Sequence, residues 1–216
     1  FKIMEAVRKG RGLPEGAEQE MIDAGVPDWY IGSCKKIKSL FPKAHAVAYV
    51  MMAFRIAWFK VYHPLAFYAA YFYRRSQKGG FDAVLMTQGK EAIMANMDAI
   101  TSNENATDKD DDLLTTMEVV YEYYIRGFEF LPIDIYKSHA TKFLIQDGKL
   151  LPPFVSISGL GENAAWDLMN GREGKTFISI EEVALACPKV SKTHIQMLKD
   201  AGAFGSLPDT SQISLF

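Results

Sequence analysis

Between Ala44 and Tyr73 the chain runs almost without polar relief, and this apolar and aromatic stretch constrains the fold more than any other feature. Arg55, Lys60, His63 and Pro64 interrupt it well short of the ~20 clean apolar residues that a bilayer-spanning helix needs. It predicts buried helix, with no membrane. Pro42 is placed to open a long helix that reaches about Tyr62, His63-Pro64 stops or kinks it, and a further helix follows to Arg75. The chain has 216 residues, 49% hydrophobic and 23% charged, which supports a sizeable core and excludes collagenous, disordered and disulfide-scaffold classes. Cys34 and Cys187 lie far apart and suit a reducing cytoplasm, and with four histidines no zinc-type set of spaced Cys/His pairs can be assembled. No signal peptide is evident. The first residue is Phe1, which points to a piece of a longer polypeptide.

The net charge of −2 conceals a separation along the chain. From Trp29 to Phe81 there is no Asp or Glu, while Lys35, Lys36, Lys38, Lys43, Arg55, Lys60, Arg74, Arg75 and Lys78 contribute nine positive charges. After Phe81 there are 20 acids against 11 bases. A solvated structural surface mixes both signs, so the acid-free stretch implies an anionic partner or neutralisation by an acidic neighbour. The aromatics within it (Trp29, Tyr30, Phe41, Tyr49, Phe54, Trp58, Phe59 and Tyr62) suit stacking on bases, but most are expected in the core.

Helical spacing dominates the first 75 residues. Pro14 opens a short polar helix to about Ala24, Gly25 ends it, and Pro27 starts another to about Leu40. Lys78-Gly79-Gly80 reads as a loop and the domain boundary. A helix near Lys90 to Ile100 leads into an acidic connection, Ser102 to Asp112, which feeds a helix from Leu113 to Arg126; solvated acids at a helix start, not a metal site, account for the run Asp108 to Asp112. Phe128 to Phe130, Ile133 to Tyr136 and Phe143 to Ile145 are short β-type runs, and Asp147-Gly148 is a hairpin signal. Short helices return after Gly161 and continue to about Ala201. The tail from Pro208 has no periodicity and should stay mobile until something binds it.

Three places carry chemistry. At the first, Pro42 at a first helical position puts Lys43 in the opening turn, where a cation opposes the helix dipole and an anion such as phosphate would be welcome. His45, Tyr49, Met52, Ile56 and Lys60 then share one stripe, which is either functional or a domain-edge histidine and tyrosine with hydrogen-bond partners. The pattern Phe41, Lys43, His45, Ala48, Tyr49 resembles the fingers motif of bacterial C-family replicative DNA polymerases, the DNA polymerase III alpha subunits. Phe1 to Gly12 and Val26 to Tyr30 resemble the PolC type. The resemblance implies that Lys43 lies near phosphate, and that His45 and Tyr49 lie near the nascent base pair, facing the incoming dNTP and the primer-template.

At the second, Gly159-Leu160-Gly161 followed by a small-residue helix start has the form of a helix-hairpin-helix element, whose glycines let backbone N–H groups approach a phosphate; a plain helix-start turn is the plainer reading. A degenerate partner is Lys189-Val190-Ser191-Lys192, with Ser191 as N-cap and Lys192 again opposing a helix dipole. Tandem hairpins of this kind grip duplex backbone and carry no sequence information. At the third, Gln212, Leu215 and Phe216 in Gln-x-x-Leu-Phe resemble the bacterial sliding-clamp-binding pentapeptide, against a tail packed on its own domain. PolC-type chains end on this motif, whereas DnaE-type subunits carry it internally.

The expected fold is therefore mainly α with a small β element: a helical fingers segment (1–78), a duplex DNA-binding domain with helix-hairpin-helix motifs near 154–171 and 187–200 (79–207), and a flexible clamp-binding tail (208–216). No catalytic residue and no metal ligand is identified. The resemblance puts the polymerase's paired carboxylates and their Mg2+ outside this chain, so the fragment should bind duplex DNA, dNTP and the sliding clamp in a bacterial cytoplasm while catalysing nothing alone. The alternative is a non-enzymatic helix-hairpin-helix DNA-binding adaptor with a clamp-binding peptide, which would not need the Phe41 to Tyr49 motif.

Overall fold

In the computed structural model, which describes residues 1–39 and 43–211, glycine and proline set the ends of the first helices. Helix α1 (Lys2–Arg8) is followed by α2 (Ala17–Asp23), which closes on Gly25 at φ +74°. The N–H groups of Gly25 and Val26 donate to Ile22 O and Met21 O, satisfying carbonyls that the helix end leaves open. Pro27 precedes α3 (Asp28–Lys36), four residues shorter than the expected run to Leu40. Val7, Met21, Ile31 and Cys34 bury together as a small core. These elements belong to a first unit, residues 1–58; the second comprises residues 59–216.

Helix α4 (Lys43–Tyr62) has the expected end but not the expected burial. None of its side chains is buried, and Tyr49, Phe54 and Tyr62 are 63%, 73% and 64% exposed. Trp29, at 72%, is likewise outside any core. The expectation of a buried helix with core aromatics is corrected: apolar residues run around α4 without a polar face, and such a pattern marks surface that prefers to leave water without specifying what covers it. By length and composition α4 could cross a bilayer. Arg55 near its middle would cost about 2.5–3.5 kcal/mol there, and Lys60 is tied into a polar network with Glu122.

His63 leaves the helical region (φ −135°, ψ 57°) and Pro64 opens α5 (Pro64–Ser76). Helix α5 is amphipathic, and Tyr68 and Phe72 are fully buried in the core of the second unit. The packing boundary therefore falls between Trp58 and Phe59 rather than at Lys78-Gly79-Gly80, because two large aromatic side chains tie α5 to the later helices and the hairpin. Next come α6 (Ala83–Met86), capped by Asp82 Oδ1, α7 (Lys90–Thr101) and α8 (Asp108–Ile125). Helix α8 starts at Asp108 rather than Leu113, because Thr107 and Asp110 form a reciprocal capping box that draws the acidic run into its first turn.

Lys60 Nζ at the end of α4 lies 2.6 Å from Glu122 Oε2 of α8, and Tyr68 OH donates to Glu122 Oε1 at 2.8 Å. Arg126 donates to Tyr68 OH and to Lys60 O. Arg75 of α5 similarly donates to Thr116 Oγ1 and Asp112 Oδ1. Together with Lys35–Glu18 in the first unit, these pairs show that acidic neighbours neutralise Lys35, Lys60 and Arg75 of the nine cations counted in the acid-free stretch.

Strands β1 (Leu144–Gln146) and β2 (Lys149–Leu151) form an antiparallel hairpin with Ile145 opposite Leu150. Asp147 and Gly148 both have positive φ, +52° and +73°, as a tight two-residue turn requires. Phe130 adds a single parallel bridge to Leu150. Ile133 to Tyr136 is not a strand: Asp134 Oδ1 accepts from the N–H groups of Tyr136 and Lys137, and this local turn displaces ladder pairing. A 3-10 turn (Phe154–Ser156) then leads to α9 (Glu162–Gly171), α10 (Ile180–Ala186) and α11 (Lys192–Asp200). The chain after α11 is held further than expected: Pro208 O and Asp209 O accept from the N–H groups of Ile180 and Glu181, and Lys199 Nζ lies 2.6 Å from Asp209. Mainly helical architecture with one small sheet matches the fold class read from the sequence.

Candidate nucleic-acid interface

Two turns closed by the same backbone hydrogen bond, but differing at Gly159 and Lys189 in the sign of φ, precede α9 and α11. In the first, Leu160 is 2% exposed and its N–H donates to Ile157 O at 3.0 Å. In the second, Val190 is 7% exposed and its N–H donates to Cys187 O at 2.9 Å. Each buried apolar residue anchors its loop in the core, and this aligns Gly159 with Lys189 and Gly161 with Ser191. The two motifs also touch, since a Cβ built on Gly159 would lie 2.8 Å from Met197 Cε of α11.

The two hairpins differ in what their amides do. At the second, Lys189 N–H donates to Asp167 Oδ2 of α9 at 2.7 Å. Ser191 caps α11 as the sequence suggests, its Oγ accepting from His194 N–H while its own N–H donates to His194 Nδ1 at 3.2 Å. At the first, Gly159 stands at φ +89°, a conformation that glycine adopts without cost, and Gly161 is an N-cap with no side chain to cap α9. Among the described residues, no acceptor takes the N–H of Gly159 or Gly161. The first hairpin thus faces solvent with donors in hand, and the second has spent its own on Asp167 and His194. At the second, the lysine side chains of Lys189 and Lys192 remain exposed.

The first hairpin borders a cavity of about 500 Å3, whose lining also includes Lys78 and Lys109. Sequence reading missed both lysines. Lys78 is counted among the nine cations of the acid-free stretch and placed in a loop without being singled out as a binding residue, and Lys109 is hidden among the acids of the run Asp108 to Asp112. Cys187, beneath the second hairpin, is fully buried, and burial pushes its thiol up to about 11, which leaves it unreactive at neutral pH.

On α4, Lys43 is the first helical residue and is exposed, and the rings of His45 and Tyr49 meet edge-on with centroids 4.4 Å apart. Phe41 and Pro42 lie outside the described residues, as do Gln212, Leu215 and Phe216 of the terminal motif. Among the described residues, no group of three His, Cys, Asp or Glu side chains could hold a metal ion.

Comparison with known proteins places this geometry. The helix-hairpin-helix motif family matches residues 127–212, which contain both hairpins. The chain is 50% identical over 219 residues to DNA polymerase III PolC-type of Thermotoga petrophila, 51% over 217 residues to that of Caldanaerobacter subterraneus, and 50% over 217 residues to that of Bacillus subtilis, in each case across all of this chain. The chain is a homologue of one segment of PolC-type DNA polymerase III. It spans 16% of the length of the Thermotoga petrophila PolC relative and 15% of the other two. The PolC relationship covers the α4 region and the hairpin region alike, and the helix-hairpin-helix domain lies wholly within the second unit.

Proposed function

We propose that this chain is the part of a replicative DNA polymerase that grips the duplex, flanked by the end of the fingers and a clamp-binding tail. The observation that carries the reading is the pair of unclaimed amides at Gly159 and Gly161 within a helix-hairpin-helix match. Backbone donors in a glycine turn at a helix start recognise a phosphate oxygen and ignore the bases, so the grip follows the duplex as it moves without reading it. Leu160 keeps the turn rigid from the core, and Lys189 and Lys192 contribute charge rather than amides.

In the same proposal Lys43, His45 and Tyr49 face the incoming dNTP and primer-template, and Gln212, Leu215 and Phe216 dock on the sliding clamp. Nucleotidyl transfer belongs to the parent polymerase, whose carboxylates and Mg2+ lie outside this chain, so the segment alone is inactive. A cytoplasmic bacterial setting goes with that role. The adaptor alternative is disfavoured because identity to the PolC relatives extends through residues 1–78, which an adaptor would not need.

Fluorescence anisotropy with labelled duplexes of unrelated sequence tests the reading. Dissociation constants equal within about threefold and rising steeply with salt are expected of backbone recognition; no binding, or strong preference for one sequence, contradicts it. For the flanking roles, Lys43→Ala in the full-length enzyme should slow single-nucleotide incorporation, and a peptide spanning Pro208 to Phe216 should bind a bacterial clamp at about micromolar strength by calorimetry. Unchanged incorporation, or no heat, removes the corresponding role.

A further inference from the structure

We infer that Lys78 and Lys109, both outside the helix-hairpin-helix match, complete with the first hairpin a composite site for the sugar–phosphate backbone of duplex DNA. The inference rests on the duplex-binding reading above and adds two side chains from other elements to it. The cavity of about 500 Å3 is lined by Ser158 to Gly161, by Lys78 at the loop after α5, and by Lys109 in the first turn of α8. Three segments far apart in sequence thus converge, and two of them bring an ammonium group.

The charge balance of the cavity favours an anion. Its one carboxylate, Asp82, already accepts from the N–H groups of Val84 and Leu85 through Oδ1. Of the acids neighbouring Lys109 in the chain, Asp110 is engaged by Thr107 and Asp112 by Arg75, while Asp108 and Asp111 carry no such partner among the described residues but do not line the cavity. Neither Lys78 nor Lys109 forms a salt bridge among the described residues; the ion pairs of this region go instead to Arg75, Lys60 and Arg126. A cation in the first turn of a helix works against the helix dipole, so Lys109 sits poorly for α8 and well for a bound phosphate. A free nucleotide fits the cavity badly, because its one aromatic side chain, Phe81, is 3% exposed and offers no face for base stacking.

The test is a salt series of duplex affinities for the chain, for Lys78→Gln and Lys109→Gln separately and together, and for Lys175→Gln, an exposed lysine away from the cavity. Each cavity lysine that neutralises a phosphate adds about 0.9 to the magnitude of the log–log slope, so the double variant should flatten it by about two units and bind roughly tenfold weaker per lysine at low salt. Lys175→Gln should keep the parent's slope. A double variant with native circular dichroism and the parent's slope overturns the site while leaving duplex binding intact, as does equal flattening in Lys175→Gln. Loss of dNTP or inorganic phosphate binding by the same variants, with duplex affinity unchanged, overturns the duplex as occupant. A parent chain that binds no duplex removes the duplex-binding reading and this site with it.

Discussion

Glycines with the same one-letter code do different work in the second unit. Gly161 has φ −70°, and a Cβ built on it meets nothing within 4 Å. Gly161→Ala should therefore leave stability within about 0.5 kcal/mol while placing a methyl group where the phosphate approaches, and duplex affinity should fall. Gly159 stands at φ +89°, so Gly159→Ala should cost about 1–2 kcal/mol of stability; the Met197 methyl can swing aside, and the backbone conformation carries the penalty. Urea unfolding beside anisotropy separates the two effects, and a Gly161→Ala variant with parental affinity would show that the amides are not the contact. The sequence made both glycines visible as a Gly-x-Gly signal. It could not distinguish them, because φ and the nearness of Met197 come from how the two hairpins pack.

At the scale of elements, the loop before β1 is held to α9 by a histidine. His139 Nδ1 accepts from the N–H groups of Thr141 and Lys142, and its ring meets Trp166 of α9 edge-on at 5.3 Å. Burial lowers its pKa from the ordinary ~6.5, and the nearby cations Lys142 and Arg172 lower it further. A depressed value means that the folded state prefers the neutral ring. The contribution is present above the unfolded pKa and is lost as pH falls through the lower folded value. Chemical unfolding at about pH 7.5 and about pH 5.5 should show lower stability at the acid end, and His139→Gln should reduce that difference; an unchanged difference would assign it to other groups. The element ends at Gly25, Pro27, Pro64 and Asp147-Gly148 were legible because these residues impose specific backbone angles. The exposure of α4 was not, since Tyr49, Phe54 and Tyr62 read as core wherever a covering surface is assumed. The start of α8 was also misplaced, because the capping box of Thr107 and Asp110 lay inside a run that looked like solvated loop.

For the molecule as a whole, the hairpins do not stand on their own matched segment. The core beneath them includes Tyr68 and Phe72 of α5, Phe81, and Met117, Val120 and Tyr123 of α8, all outside residues 127–212. Phe72 meets Phe81 at 5.1 Å and Phe143 at 5.8 Å, while Tyr123 meets Phe130 at 4.6 Å. Each such aromatic contributes several kcal/mol at most, yet removing six buried side chains together exceeds the ~5–15 kcal/mol that stabilises a domain. A polypeptide of residues 127–212 should therefore show no cooperative thermal transition by circular dichroism, whereas residues 59–211 should; a sharp transition in the shorter piece would refute this dependence. The sequence placed the boundary at Gly79-Gly80 because glycine pairs mark loops, but burial of Tyr68 and Phe72 sets the packing unit.

The central claim is that the first hairpin grips the duplex through its backbone while the second has committed its amides internally. Hydrogen–deuterium exchange of the chain with and without duplex DNA measures those amides directly. Slower exchange across Ser158 to Asn163 on adding duplex, with Lys189 and Ser191 already protected and little changed, is the expected result. Protection confined to the second hairpin or to α4, with Gly159 and Gly161 exchanging as in the free chain, would contradict it.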